Sequence, residues 1–415
     1  MSLRHPAPPA PATGPHSPRR KVTLVYIDAG GGHRASSAAL QAAIHRHGLP
    51  WDVRPVHLRD MIDPRGTFFG RLGVDPEVLY NQRLARGWTF GLAKELKLLQ
   101  ALIRWAHAPM SRQLQAHWLA EEPDMVVSLI PNFNRVLRES LAASLPGVPY
   151  VTLLTDLADL PPHFWIEPGG RQHVICGTPR AVLQARAAGH PAHRIHATSG
   201  MMIRPEFYDR PAIDRAAQRK ALGLDPDLPT GIVLFGGHGS RAMIDIARRL
   251  QDRQLILACG HNQKLARELA SMPSAKPHHV LGFSTRMAHY MQLADYMIGK
   301  PGPGALSEAV QMSLPSVVVR NRSTLPQERY NTDWLREHDL GLVCSSFRHV
   351  EPAVRHLLAD LERFQSATRR VRNRSVFEVP GILERIMVSA FAVDGAAWQP
   401  SRIREPGDGL VTKPS

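Results

Sequence analysis

The chain has 415 residues, 43% of them hydrophobic and 21% charged, with a formal net charge of +15 and a pI near 10.3. That length exceeds one ordinary core and predicts two domains, and no run approaches the roughly 20 apolar residues of a membrane-spanning helix. The charge draws the molecule to polyanions, but no zinc finger, aromatic RNA-binding signature or long Lys/Arg block accompanies it, so nucleic acid is not expected as a partner. Cys176, Cys259 and Cys344 are odd in number and form no Cys-x-x-Cys pair, which fits a reducing cytoplasm.

Residues 1–20 hold six prolines and no continuous apolar segment, and read as a disordered leader without export function. Val22 to Ile27 is a short β-branched run ending at Asp28 and the turn Gly30-Gly31-Gly32-His33-Arg34-Ala35, after which an alanine-rich stretch predicts a helix. A second strand is expected near Val53 to Leu58. Between Pro64 and Ala120 the pattern is helical and arginine-rich. Within it Trp88, Leu92, Leu96, Leu99 and Ile103 recur at helical spacing beside Lys94, Lys97 and Arg104. Such a stripe suits both a bilayer interface and packing on its own domain. Further strands are predicted at Met125 to Ile130, Tyr150 to Leu154 and His173 to Cys176.

A proline-containing linker is placed at Arg204 to Pro211, and the alternation restarts from Gly231. Strands are predicted at Ile232 to Phe235, Leu255 to Cys259, His279 to Leu281, Tyr296 to Ile298, Ser316 to Val319 and Gly341 to Cys344. Strands alternating with helices in both halves predict an α/β protein of two Rossmann-like, doubly wound domains, 21–205 and 212–392, facing a central crevice, with a disordered tail at 393–415.

Glycine turns after a strand bring backbone amides and a positive helix end to the crevice. Gly31, Gly32 and His33 occupy one such turn. The same residues satisfy a loose dinucleotide fingerprint, a weak signal, because NAD would need an acid at the end of the second strand, whereas Asp52 begins that strand and Asp60 lies farther along. His33 is either a solvent-facing helix-start residue or a base for an acceptor hydroxyl. Gly237, His238, Gly239 and Ser240 form the equivalent turn of the second half, suited to phosphate. In Lys300-Pro301-Gly302-Pro303-Gly304-Ala305-Leu306-Ser307-Glu308 a rigid turn precedes a carboxylate placed to accept from ribose hydroxyls. Gln327, Glu328 and Asn331 form a polar cluster suited to a sugar.

These runs, together with Thr155-Asp156-Leu157, Cys259-Gly260-His261-Asn262 and Gly282-Phe283, occur in an order that resembles the monogalactosyldiacylglycerol synthase and processive diacylglycerol glucosyltransferase group of glycosyltransferase family 28, over Val22 to Leu342. The resemblance implies a GT-B fold and an inverting hexosyltransferase that moves a hexose from a UDP-sugar to a lipid hydroxyl such as diacylglycerol. The UDP-sugar is a co-substrate, and no cofactor or metal is implied. It implies the carboxyl half as donor site, with Gly282 and Phe283 near uracil, Glu308 on ribose, Gly237 to Ser240 with Lys300, Gly302 and Gly304 at the diphosphate, and Gln327, Glu328 and Asn331 near the sugar. The amino half then receives the acceptor near Gly31, Gly32, Asn132 and Asn134, with His33 or Asp156 as general base, at an anionic membrane surface on the cytoplasmic face. One departure is that Ile130-Pro131-Asn132-Phe133-Asn134 has no histidine before its proline, where relatives carry one, which bears on the acceptor. The alternatives are another lipid-linked or small acceptor, or a catalytically idle nucleotide-sugar-binding protein.

Overall fold

The structure, a computed structural model, describes residues 19–28, 32–64, 92–160 and 163–392. Two six-stranded, fully parallel sheets carry it. The amino-terminal sheet contains β1 (Arg20–Tyr26), β2 (Trp51–His57), β3 (Met125–Ser128), β4 (Tyr150–Leu153), β5 (His173–Cys176) and β6 (Ile195–Ala197), in the order β2-β1-β3-β4-β5-β6. The carboxyl-terminal sheet contains β7 (Thr230–Leu234), β8 (Gln254–Gly260), β9 (His278–Gly282), β10 (Tyr296–Gly299), β11 (Ser316–Val319) and β12 (Gly341–Cys344), in the order β12-β11-β10-β7-β8-β9. Each order reverses direction once, between β1 and β3 and between β7 and β10. A crevice opens at such a point beyond the carboxyl ends of the strands.

Alternation along the buried strands sorts side chains onto two faces. Val22 and Leu24 meet the helix Gly32–Arg46, while Val25 turns to Leu114 and Trp118 of the helix His107–Glu121. In the second sheet Ile232 and Met297 face one core, and Val233, Tyr296 and Ile298 the other. Gly231 makes room for the Tyr296 ring, which would lie 2.6 Å from a Cβ at that position.

Three features differ from the sequence reading. β1 starts at Arg20, before the apolar run, because Asp124 pairs with the Arg20 guanidinium at 2.8 Å and accepts from the Lys21 amide at 2.7 Å. β6 is too short and too exposed to leave an apolar run in the sequence. The helix Ser375–Ala392, grouped above with the carboxyl half, packs on the amino-terminal sheet. Its stripe of Val379, Ile382, Leu383, Ile386 and Met387 covers Val22 and Leu24, and Arg20 stacks over Phe391.

The chain therefore passes between the domains twice, and Asn373 ties the two passages together. Its amide donates to the Met201 carbonyl at 2.8 Å, and its oxygen accepts from the Tyr208 hydroxyl at 3.1 Å and the Ser375 hydroxyl at 2.7 Å. A Cβ at Gly200 would sit 2.5 Å from the Asn373 amide carbon, so glycine is required where the passages cross.

Candidate active site

The turn after β7 and the start of the helix Gly32–Arg46 lie where their sheets reverse order. On the amino side β1 leads toward the helix that opens at Gly32, and His33 is its second residue. Gly31 lies outside the described residues. The His33 Nδ1 is 2.8 Å from the Leu129 carbonyl at the end of β3, and 3.3 Å from the Thr155 hydroxyl. A carbonyl only accepts, so Nδ1 carries the proton and Nε2 is the basic nitrogen of the neutral ring.

Asp156, just beyond β4, is 7% exposed and accepts from the Trp165 indole at 2.8 Å. Burial lifts its carboxyl to about 7, against the Trp165 hydrogen bond, and Glu328 and Lys300 across the crevice also act on it. Trp165 was missed by the sequence reading and is central here. It is fully buried, its ring lies 5.9 Å from that of His33, and its backbone amide donates to Asp159 at 2.6 Å. Its only signal in the sequence is an aromatic in a proline-containing loop.

The two candidate acceptor asparagines separate. Asn132 is half-buried with φ of 66° and accepts from Gln100 at 3.1 Å, beside the crevice. Asn134 does not face an acceptor. It is 1% exposed, donates to the Ile130 and Trp165 carbonyls at 3.0 Å each, and accepts from the Tyr150 hydroxyl at 2.8 Å, so it locks the loop from beneath.

On the carboxyl side, Gly236 to Ser240 follows β7 and is clamped from β8. The His261 backbone amide donates to the Gly237 carbonyl at 2.8 Å, and the Asn262 side-chain Nδ2 to the His238 carbonyl at 3.3 Å. Gly260, at φ of 58°, approaches so closely that a Cβ would lie 2.1 Å from the Gly237 oxygen. Gly239 has φ of 60°, and the Ser240 hydroxyl accepts from the Ala242 amide at 3.2 Å at the start of the next helix. At the end of β9 Gly282 is exposed, and Phe283 just past it, 60% exposed, stacks on His261 with centroids 4.0 Å apart.

The turn after β10 gathers the remaining candidates. Gly302 caps the helix Pro303–Gln311, with Pro303 at its first position, and Gly304 follows. Lys300 pairs with the nearly buried Glu328 at 3.2 Å. Asn331 is fully buried and donates to the Pro301 carbonyl at 2.8 Å, so it shapes this turn rather than presenting its amide outward. Gln327 is half-buried beside them. Glu308 is recessed, and burial raises its carboxyl to about 7 while Arg204 of the linker, 3.8 Å away, opposes the rise. Arg204 also escaped the sequence reading. Among the described residues no cluster of three His, Cys, Asp or Glu side chains is able to hold a metal ion.

Residues 232–375 match the glycosyltransferase family 28 C-terminal domain. The chain is 25% identical to monogalactosyldiacylglycerol synthase 1 of Arabidopsis thaliana over 87% of its own length and 70% of the plant protein's. It is 25% identical to the corresponding synthase of Spinacia oleracea over 91% and 74%. The chain is thus similar to monogalactosyldiacylglycerol synthases, and its carboxyl half matches a glycosyltransferase family 28 domain. Among solved structures, MurG of Acinetobacter baumannii superposes with a TM-score of 0.55 at 12% identity, covering 89% of this chain and 100% of that one. The calicheamicin glycosyltransferase CalG4 does so with a TM-score of 0.58 at 15% identity, covering 91% and 99%. The fold is GT-B, and the matched family 28 domain contains the turns after β7 and β10.

No helix among the described residues is long and apolar enough to cross a membrane. The helix Leu92–Trp105 is nevertheless apolar on two sides. Of the expected stripe, Leu96 packs toward Trp165, Ile103 is half-buried, Leu99 is 38% exposed, and Trp88 lies outside the described residues. A second row, Leu98, Leu102 and Trp105, faces outward with 61%, 52% and 80% exposure.

Proposed function

We propose that the protein transfers a hexose from a UDP-sugar to a lipid hydroxyl, with diacylglycerol as the expected acceptor and inversion at the anomeric carbon. What carries this reading is the opposition across one crevice of a base-competent His33 and the donor-type turns at Gly237–Ser240 and Lys300–Glu308.

His33 Nε2 takes the proton of the acceptor hydroxyl as its oxygen attacks the anomeric carbon. The bond from that carbon to the β-phosphate oxygen breaks on the opposite face, and its electron pair leaves with UDP. Amides of the turn after β7, the helix start at Gly302 and the Lys300 ammonium are suited to the charge on the departing diphosphate, a task that requires no metal ion. Glu308 is suited to the ribose hydroxyls, Phe283 to the uracil face, and Gln327 and Glu328 to the sugar hydroxyls. Asp156, the other candidate base, instead holds Trp165 beside His33, and the charges of Glu328 and Lys300 act on its carboxyl in opposite directions.

The outward row Leu98, Leu102 and Trp105, next to Lys97 and Arg104, suits a cytoplasmic anionic leaflet from which a lipid acceptor is drawn. Similarity to monogalactosyldiacylglycerol synthases supports the lipid acceptor.

Purified protein with UDP-hexoses and diacylglycerol in anionic vesicles tests the proposal. UDP release with a new glycolipid on thin-layer plates is the expected result. No UDP release with any common donor, from protein that melts cooperatively, overturns it.

A further inference from the structure

The two domains also touch across the crevice, away from the linker. Leu157, one residue past Asp156, is 1% exposed and belongs to the apolar cluster built by Met297, Leu306 and Trp334 of the opposite domain. The Thr178 hydroxyl donates to the Leu157 carbonyl and also caps the helix Pro179–Ala187 through the Ala181 amide at 3.2 Å. Arg180 is the second residue of that helix. Thr178 therefore joins Leu157 and Arg180 into one rigid corner of the amino-terminal domain.

The guanidinium carbon of Arg180 lies 4.7 Å from the ring centroid of Tyr330. Tyr330 sits between Glu328 and Asn331, and its ring is half-buried against the same cluster that receives Leu157. Arg180 makes no ion pair among the described residues, so the aromatic face is the partner its cation meets. One corner of the amino-terminal domain thus reaches the Pro326–Asn331 segment in two ways, an apolar plug and a cation over a ring.

We infer that Arg180 and Tyr330 form a latch across the crevice, with Arg180 acting as a positioning residue. It holds the Gln327–Asn331 segment against Asp156 and His33, and so sets the distance between donor and base. This rests on the transferase reading for its effect on turnover, but the latch itself is read without turnover.

Two measurements test it on the full chain. Small-angle scattering with and without UDP is expected to show wild type more compact than Arg180→Ala, with Arg180→Lys between them. In donor kinetics, Arg180→Ala and Tyr330→Ala are each expected to lower kcat/KM by roughly three- to thirtyfold, and the double variant by no more than either alone. Tyr330→Phe retains the ring and is expected to stay near wild type. Because Arg180 is exposed, Arg180→Gln serves as a second variant with an unaltered melting temperature if Tyr330→Ala fails to fold. Equal compactness of wild type and both Arg180 variants overturns the latch, as do losses that multiply in the double variant. Absence of turnover in every protein, with the scattering difference present, overturns the transferase reading and leaves the latch standing.

Discussion

The two halves of this protein share a plan and differ in what they put at the same place in it. Both sheets reverse strand order once, and at that point one carries the glycine turn after β7 and the other the start of the helix Gly32–Arg46. On the carboxyl side the site is built mainly from backbone: Gly239 and Gly260 in left-handed conformations, the Gly237 and His238 carbonyls held by donors just past β8, and a helix start at Gly302. On the amino side the corresponding place holds titratable and aromatic side chains: His33 fixed by Leu129, Asp156 held by Trp165, and Asn134 bracing the Trp165 backbone. Preorganised amides grip an anion without changing protonation, whereas proton transfer needs a group that can change its own. On the proposed reading, the same fold places grip in one half and proton chemistry in the other.

The sharpest way to break this division is His33→Ala. Turnover is expected to fall by roughly 10²- to 10⁴-fold, while UDP affinity in calorimetry stays at the wild-type value. A matching loss of UDP affinity would mean that the amino turn grips the donor as well.

Asp156→Asn probes the same half through stability. The folded carboxyl titrates near 7 against 3.8 when unperturbed. Between those values the unfolded chain is ionised while the folded one stays protonated, so the wild type loses stability as pH rises through that window. The loss is roughly 1.4 kcal/mol per unit crossed. The asparagine variant lacks this dependence. In urea unfolding it should gain on wild type as pH rises from about 4 to about 7, reaching a few kcal/mol and then holding constant. A gap that stays flat across the window means the carboxyl is ionised in the fold.

For the carboxyl half the matching perturbation is Gly260→Ala. Its Cβ would lie 2.1 Å from the Gly237 oxygen at a φ of 58°, so the turn after β7 must shift. UDP affinity is expected to drop about tenfold or more. Gly147→Ala, where nothing lies within 4 Å of the added carbon, is expected to leave it unchanged.

The sequence announces this division unevenly, for a physical reason. Buried parallel strands leave β-branched apolar runs, and turns at a strand end leave glycines, so eleven of the twelve strands and both turns are legible. Which partner a surface covers is not written in its own periodicity. The stripe on Ser375–Ala392 fits either sheet equally well as a pattern, and only the crossing at Asn373 and Gly200 sends it back to the amino half. Asn134 and Asn331 carry the residue type of a binding site, yet their amides are consumed by backbone carbonyls because loops that turn inward must satisfy their own polar groups. Trp165 and Arg204 act through contact with His33 and Glu308, residues far along the chain, for which a single sequence holds no spacing rule.

The smallest expected effects lie on the helix Leu92–Trp105, where the comparison is between two rows on one element. Leu98, Leu102 and Trp105 are exposed, whereas Leu96 packs toward the Trp165 cluster. If the outward row meets a bilayer, Trp105→Ala or Leu102→Ser lowers co-sedimentation with anionic vesicles by about fivefold, near 1 kcal/mol, and leaves UDP binding and the melting temperature alone. Leu96→Ala should do the reverse, lowering the melting temperature and, through Trp165, turnover, with vesicle binding maintained. High salt separates the contributions of the helix further: it weakens the pull on Lys97 and Arg104 but not the burial of Trp105, so the Trp105→Ala defect persists after the charge-dependent part of binding is gone. If instead the defect vanishes with salt, the outward row takes no part in membrane contact, and the amino half meets its lipid by charge alone.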